Sequence, residues 1–222
     1  MADRKEIISE LKAVAAGKTI DALLPPIIFI IVNNIIGLDL ALIAALGVAL
    51  LISLNRLLKK QTWLYALGGL LGVIFAAALA YLTRSAISYF IPAIISSALL
   101  LVLSLLSLAA GKPLAAWASH LTRGWPLAWF WRSDVKPAYR EVTWFWAALI
   151  AMRLFIQFYL FNRGDAATLA WANTLLGWPV VIVVLIITYI YGIWRLRKLA
   201  GPGVEEFKAN KKPPWQGQTR GF

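Results

Sequence analysis

Arg153 stands near the middle of an otherwise apolar stretch, Val142 to Phe161 (VTWFWAALIAMRLFIQFYLF), and Gln157 follows it four residues later. One helical turn separates them, so on a helix they share a face. The guanidinium carries five N–H donors in a planar fork and no acceptor, and it needs acceptors from neighbouring helices or from water. Such a stretch spans about 30 Å as a helix, the thickness of a bilayer's hydrocarbon core. A cation facing lipid there costs at least ~2.5–3.5 kcal/mol, so Arg153 is expected to face protein or water. Asp39, Asn33 and Asn34 are the other side chains able to complete an intramembrane polar line with Arg153 and Gln157. Asp39 is the expected partner of Arg153, directly or through water, because its hairpin is short enough to sink into the bilayer. Asp165, the other acid on that side, follows Asn162, Arg163 and Gly164 and is expected to stay solvated.

Other chemistry is thinly provided. The chain has no cysteine and a single histidine, His120, which removes thiolate chemistry and any site needing two imidazoles. His120 reads as an interfacial residue rather than a ligand or base. The ten acidic residues are scattered, mainly at the ends of apolar segments; catalysis on phosphate or isoprenoid usually wants clustered carboxylates or histidines. No catalytic residue, metal site or cofactor is therefore assigned.

The elements that must position these residues are membrane helices. Of 222 residues, 61% are hydrophobic and 14% charged, with a mean hydropathy of +0.74, too few polar residues to cover a soluble globule. The predicted fold is an all-α integral membrane protein with six transmembrane helices: residues 1–20 form a cytoplasmic amphipathic helix, 21–195 the membrane domain and 196–222 a basic, disordered cytoplasmic tail. The first segment has mixed charge and no long apolar core, unlike a cleavable signal. Within 22–54 the triplet Gly37-Leu38-Asp39 breaks a run too long for one span into a short hairpin. Pro25 and Pro26 are placed in the first turn or two of its first arm. Further spans are predicted over 63–82, 88–110, 142–161 and 168–194, the last kinked by Pro179 near Leu175 or Leu176. Glycines and alanines at three- and four-residue spacing in the third span permit close helix approach. The serines of the fourth are expected to bond their own backbone.

Between spans four and five, Trp117, Trp125, Trp129 and Trp131 alternate with Arg123, Arg132 and Lys136. Tryptophan favours the headgroup level and basic residues favour anionic lipid, so these seven residues are predicted to make an interfacial lipid contact. Lysine and arginine alternate sharply between loops. Nineteen fall in the first segment, the second and fourth loops and the tail, against two in the intervening loops; the positive-inside rule then puts both termini in the cytoplasm of a plasma (inner) membrane. The net charge of +12 is thus a collar over anionic lipid. Nucleic acid is not an expected partner, since the basic residues flank spans and form no separate domain. The bilayer is expected, with other membrane proteins or a second copy. Leu24-Pro25-Pro26-Ile27-Ile28 and Ile91-Pro92-Ala93-Ile94-Ile95 also raise the possibility of two inverted three-helix halves.

The order of LLPPIIF (23–29), a basic hairpin end, YFIPAI (89–94), GKPL (111–114), the tryptophan-rich connection, TWFWA (143–147) and MRLFIQFYL (152–160) resembles an uncharacterised bacterial family of small multi-span proteins. It is similar, more distantly, to the intracellular septation protein A family. That second resemblance implies envelope synthesis or division through protein contacts in the membrane, with no catalytic residue to carry over. The chain departs from it in Arg153 and the basic tail. Three functions follow in order: a non-enzymatic protein of cell-envelope maintenance or division acting through protein or lipid contacts, a small transporter or channel using the polar line, and a lipid-handling enzyme.

Overall fold

The computed structural model describes residues 18–60, 63–218 and 221–222, and every regular element among them is a helix. In order these are α1 (Lys18–Ile35), α2 (Leu38–Leu58), α3 (Trp63–Thr83), a 3-10 turn (Ala86–Phe90), α4 (Ile91–Ala109), α5 (Leu114–Arg123), α6 (Leu127–Phe130), α7 (Lys136–Asn162), α8 (Ala166–Leu175), α9 (Trp178–Leu199) and α10 (Val204–Lys208). The protein is an all-helical, multi-pass membrane protein. Five apolar segments are long enough to cross a bilayer, within α2, within α3, the 3-10 turn with α4, α7, and α8 with α9. The apolar part of α1, Leu23–Ile35, is shorter than a usual crossing, as the short first hairpin predicts. The surface helix expected over 1–20 lies outside the described residues except for 18–20, which belong to α1.

Two compact units divide the chain. One holds α1 to α3, the 3-10 turn, α8, and the parts of α4, α7 and α9 up to Ser97, from Arg153 and up to Val180. Gly37 separates α1 from α2 with φ +117, a conformation that a Cβ resists. α2 then continues to Leu58, one turn beyond its expected end. Arg56 lies in that extra turn, and its guanidinium reaches the Gly69 face of α3, 3.8 Å from where a Cβ would stand. Ser53 Oγ donates to the Ala66 carbonyl at 3.0 Å and ties α2 to α3. The core alternates alanines with a few large rings: Ala41, Ala45, Ala76, Ala77 and Ala80 let the backbones approach, while Phe29 stacks on Tyr89 at 4.1 Å. In lipid this packing replaces the missing hydrophobic drive between helices. Pro25 and Pro26 lie inside α1 rather than at its start, because the helix begins already at Lys18. Pro92 is the second residue of α4, so the two Pro motifs do not occupy equivalent helix positions.

The other unit contains Ala98–Met152 and Val181–Phe222. Here α7 starts at Lys136, before the apolar run predicted from Val142. The added turn is held by Glu141, which accepts from Arg195 Nε and Nη2 at 2.8 Å each and from Tyr191 Oη at 2.7 Å. The tail, expected to be disordered, carries a short helix and backbone hydrogen bonds among its described residues. Val204 is buried at the start of the short α10, and the Glu206 carboxylate accepts backbone N–H groups of Gly203, Gln216 and Gly217 at 2.9, 2.9 and 3.1 Å. The Phe222 ring stacks on Tyr139 at 4.3 Å and lies over Gly192. A composition rich in Gly, Pro and Lys reads as disorder when taken alone; here its backbone groups find partners in the tail itself and in the α5–α7 connection.

Candidate functional site

α7 places Arg153 and Gln157 one turn apart, about 14 Å of helix from Asn162 in the case of Arg153. Gln157 is buried, with 1% of its surface exposed. Its Nε2 donates to Oδ1 of Asn173 on α8 at 2.6 Å. Three polar atoms of this group are buried with no hydrogen-bond partner: Arg153 Nε, Gln157 Oε1 and Asn173 Nδ2. Each such atom costs about 1–3 kcal/mol when left unmade, and lipid offers no relief. Arg153 thus stands one turn along α7 from an amide pair that keeps one free carbonyl and the free NH2 group of Asn173.

α8 is short for a reason that bears on this site. Asp165 caps its first turn, accepting Thr168 N–H at 2.9 Å, and the Thr168 hydroxyl and N–H hold its carboxyl below the ordinary range. The helix ends at Leu175, and a Cβ on Gly177 would collide with the Asn173 carbonyl. That close approach fixes Asn173 in the last turn before the break, close to where Pro179 was expected to kink the span.

The polar line drawn from sequence is only partly assembled. Asp39 is not the partner of Arg153. Its Oδ1 pairs with Arg84 Nη1 at 3.1 Å, both side chains more than half exposed, because the hairpin loop carries it to the surface beside the start of the 3-10 segment. Asn34 is exposed and Asn33 half-buried, and among the described residues no hydrogen bond joins either to Arg153 or Gln157. Asn173 was the residue missing from the line. Its signal was present, an amide in a span whose other polar residues are hydroxyl-bearing, but choosing its neighbour needed the register between α7 and α8.

The tryptophan connection is also corrected in part. Trp129 is wholly buried: its indole N–H donates to the Pro202 carbonyl at 2.9 Å, and its ring meets Trp125, Phe130 and Tyr139 edge-on. Folding of the tail over the connection takes it away from lipid. Trp117, Trp125 and Trp131 are half-buried. Arg123 lies 5.0 Å over the Trp125 ring. Arg132 binds Asp134 through Nε and Nη2 at 2.8 and 2.7 Å, which raises its pKa further, and Lys136 Nζ lies near Gly111. His120 Nδ1 sits 2.6 Å from the Trp125 carbonyl, which accepts from it.

A cavity of about 320 Å³ in the same unit is lined by residues that include Leu100, Leu114, Trp146, Ile150, Leu185 and Phe222. Three hydroxyls on its wall are spent: Ser104, Thr143 and Thr188 donate to Leu100, Tyr139 and Val184 carbonyls at 2.8, 2.8 and 2.7 Å. Ser96, Ser97 and Ser107 are likewise bonded to their own helix, so α4 offers no polar path.

Residues 16–197 match a family described as a protein of unknown function, DUF3159. The chain belongs to this family. The match spans α1 to α8 in full and most of α9, so the DUF3159 region carries the whole Arg153–Gln157–Asn173 group, while α10 and the rest of the tail lie beyond it. No curated protein and no solved structure matches the chain.

Proposed function

We propose that this DUF3159 protein is a small transporter or channel of a bacterial plasma (inner) membrane, with Arg153, Gln157 and Asn173 as its intramembrane binding position. The observation that carries this reading is the set of three buried polar atoms without partners on two consecutive membrane helices. A scaffold gains nothing from a half-buried guanidinium whose buried Nε has no partner, whereas a carrier needs groups that are satisfied only by its solute or by water. The crossing pattern follows the basic residues, with α1 as a sixth, shorter insertion and both termini in the cytoplasm.

A second reading rests on a separate observation. The open face of α3, where nothing lies within 4 Å of a Cβ at Gly68 or Gly72, supports a non-enzymatic envelope protein that contacts other membrane proteins. Lipid handling has less behind it, since the acidic residues are scattered rather than clustered and three of the hydroxyls around the apolar cavity are already bonded. Stopped-flow light scattering of proteoliposomes separates the two main readings. Transport requires that at least one of phosphate, hydrogencarbonate, glycerol or urea enters faster than into protein-free vesicles, and that Arg153→Gln abolishes the difference. Unchanged permeability to all four leaves the envelope reading.

A further inference from the structure

The unpartnered atoms around Arg153 define more than a polar spot; they define the hydrogen-bond pattern of what fills it. Gln157 Nε2 and Asn173 Oδ1 are already joined at 2.6 Å. The pair therefore retains one carbonyl, Gln157 Oε1, and the NH2 group of Asn173, besides the second N–H of Gln157 Nε2. Turning both amides over, as their near-symmetry allows, joins the other two atoms and again leaves one carbonyl and one NH2 group. The guanidinium adds donors only. Among the described residues no carboxylate pairs with it, and the acids nearest in topology are occupied: Asp39 with Arg84 and Asp165 with the first turn of α8.

Charge and pattern together specify the occupant. The cation calls for an anion, because a half-buried guanidinium with its buried Nε unpaired is unfavourable away from water. The two kinds of N–H call for at least two acceptor oxygens, and the planar fork suits an oxyanion better than a spherical ion. The leftover carbonyl calls for an O–H on that same ligand. We infer that Arg153, Gln157 and Asn173 form a binding site for a small protonated oxyanion, of the hydrogencarbonate or hydrogenphosphate class: its anionic oxygens accept from Arg153 and the amide N–H, and its O–H donates to the amide carbonyl. Nitrate, sulfate and chloride satisfy the cation and leave the buried carbonyl unmade. A phosphomonoester lipid headgroup presents the same pattern as free phosphate. The depth of Arg153 along α7 favours the free ion, which need not hold its chain at the bilayer surface.

The inference deepens the proposed binding position and rests on it, but not on flux. It is tested on the full chain in detergent by isothermal titration with sodium phosphate, sodium hydrogencarbonate, sodium sulfate, sodium nitrate and sodium chloride at matched ionic strength. Short-chain phosphatidic acid in mixed micelles forms the lipid arm. Phosphate or hydrogencarbonate should bind at least tenfold more tightly than the three anions without an O–H, the effect of one buried acceptor left unsatisfied. Arg153→Gln should remove binding. Gln157→Glu provides a second variant that keeps the core charged and filled: a carboxylate one turn from Arg153 replaces the anion from within, so the protein should unfold at a higher temperature than the parent and bind none of the salts. Equal affinity for sulfate or nitrate, binding that survives Gln157→Glu, or binding of phosphatidic acid alone would each overturn the inference. Oxyanion binding without flux retires the transport reading and keeps this site; flux of glycerol or urea without oxyanion binding does the reverse.

Discussion

Gly192 and Phe222 make opposite demands, and their conflict can be measured. In the interior of α9, replacing glycine by alanine removes backbone freedom from the unfolded chain and should stabilise the helix by about 0.8–1 kcal/mol. Yet the space a Cβ would enter at Gly192 is filled by the Phe222 ring, whose Cγ, Cδ2 and Cε2 are its nearest neighbours. Phe222 stacks on Tyr139 at 4.3 Å on one side and cannot retreat that way. The ring must leave, giving up a stack worth about 0.5–1.5 kcal/mol beyond its buried area, or stay under an overpacking strain of about 1–3 kcal/mol. With Phe222 present, Gly192→Ala should therefore be destabilising by up to about 2 kcal/mol. In a Phe222→Ala background the same change should stabilise by about 1 kcal/mol. Thermal unfolding in detergent, followed through tryptophan fluorescence, gives both signs from four proteins in one cycle. A Gly192→Ala effect of the same sign and size in both backgrounds would refute the placement of the ring over the glycine.

Two further outcomes follow from features outside the core. Asp39→Asn should change stability by less than about 0.5 kcal/mol, because its ion pair with Arg84 is largely solvated; a loss several times larger in the same unfolding assay would mean that Asp39 serves a buried charge after all. The Glu206 carboxyl is held below its ordinary value of 4.5 chiefly by the N–H groups of Gln216 and then Gly203 and Gly217. A depressed value means that the docked tail prefers the ionised form, so this contribution is complete above that ordinary value and is lost as pH falls below it. Limited proteolysis at 204–216 should accelerate on acidification through that range. Glu206→Gln should be cut readily at neutral pH and show little further change, and acid-independent cleavage of the parent would contradict it.

The legible parts of this protein were those written in local composition. Membrane class, the hairpin at Gly37, the break near Leu176 and the self-bonded serines of α4 all depend on residues within a few positions of one another, and local rules reach them. Helix ends shifted where a polar residue had a distant partner: Lys136 to Arg140 joined α7 because Glu141 meets Arg195 across the unit. Trp129 and the tail went wrong together. Either one alone has the composition of an interface or of disorder, and only the contact between Trp129 and Pro202 removes both from that state. The polar line failed at the same level. Arg153 and Gln157 lie on one helix and were found by spacing, whereas choosing Asn173 over Asp39 depends on which face of another helix is turned toward them.

The placement of Arg153 on α7 and Asn173 on α8 has a consequence for biogenesis. Of the five apolar crossings, the one bearing Arg153 has the lowest hydropathy, and its amide neighbour emerges from the ribosome only after it. During synthesis α7 therefore meets the lipid boundary with its cation and before the helix that supplies Asn173. A helix in that position gains by waiting beside the insertion channel until the next one arrives and leaving with it as a pair. Chains stopped after Asn162 should then be extracted from membranes by alkali more easily than chains stopped after Leu199, and equal resistance would show that α7 inserts unaided. On this account the polar group acts first as a checkpoint on the order of assembly, before it has anything to bind.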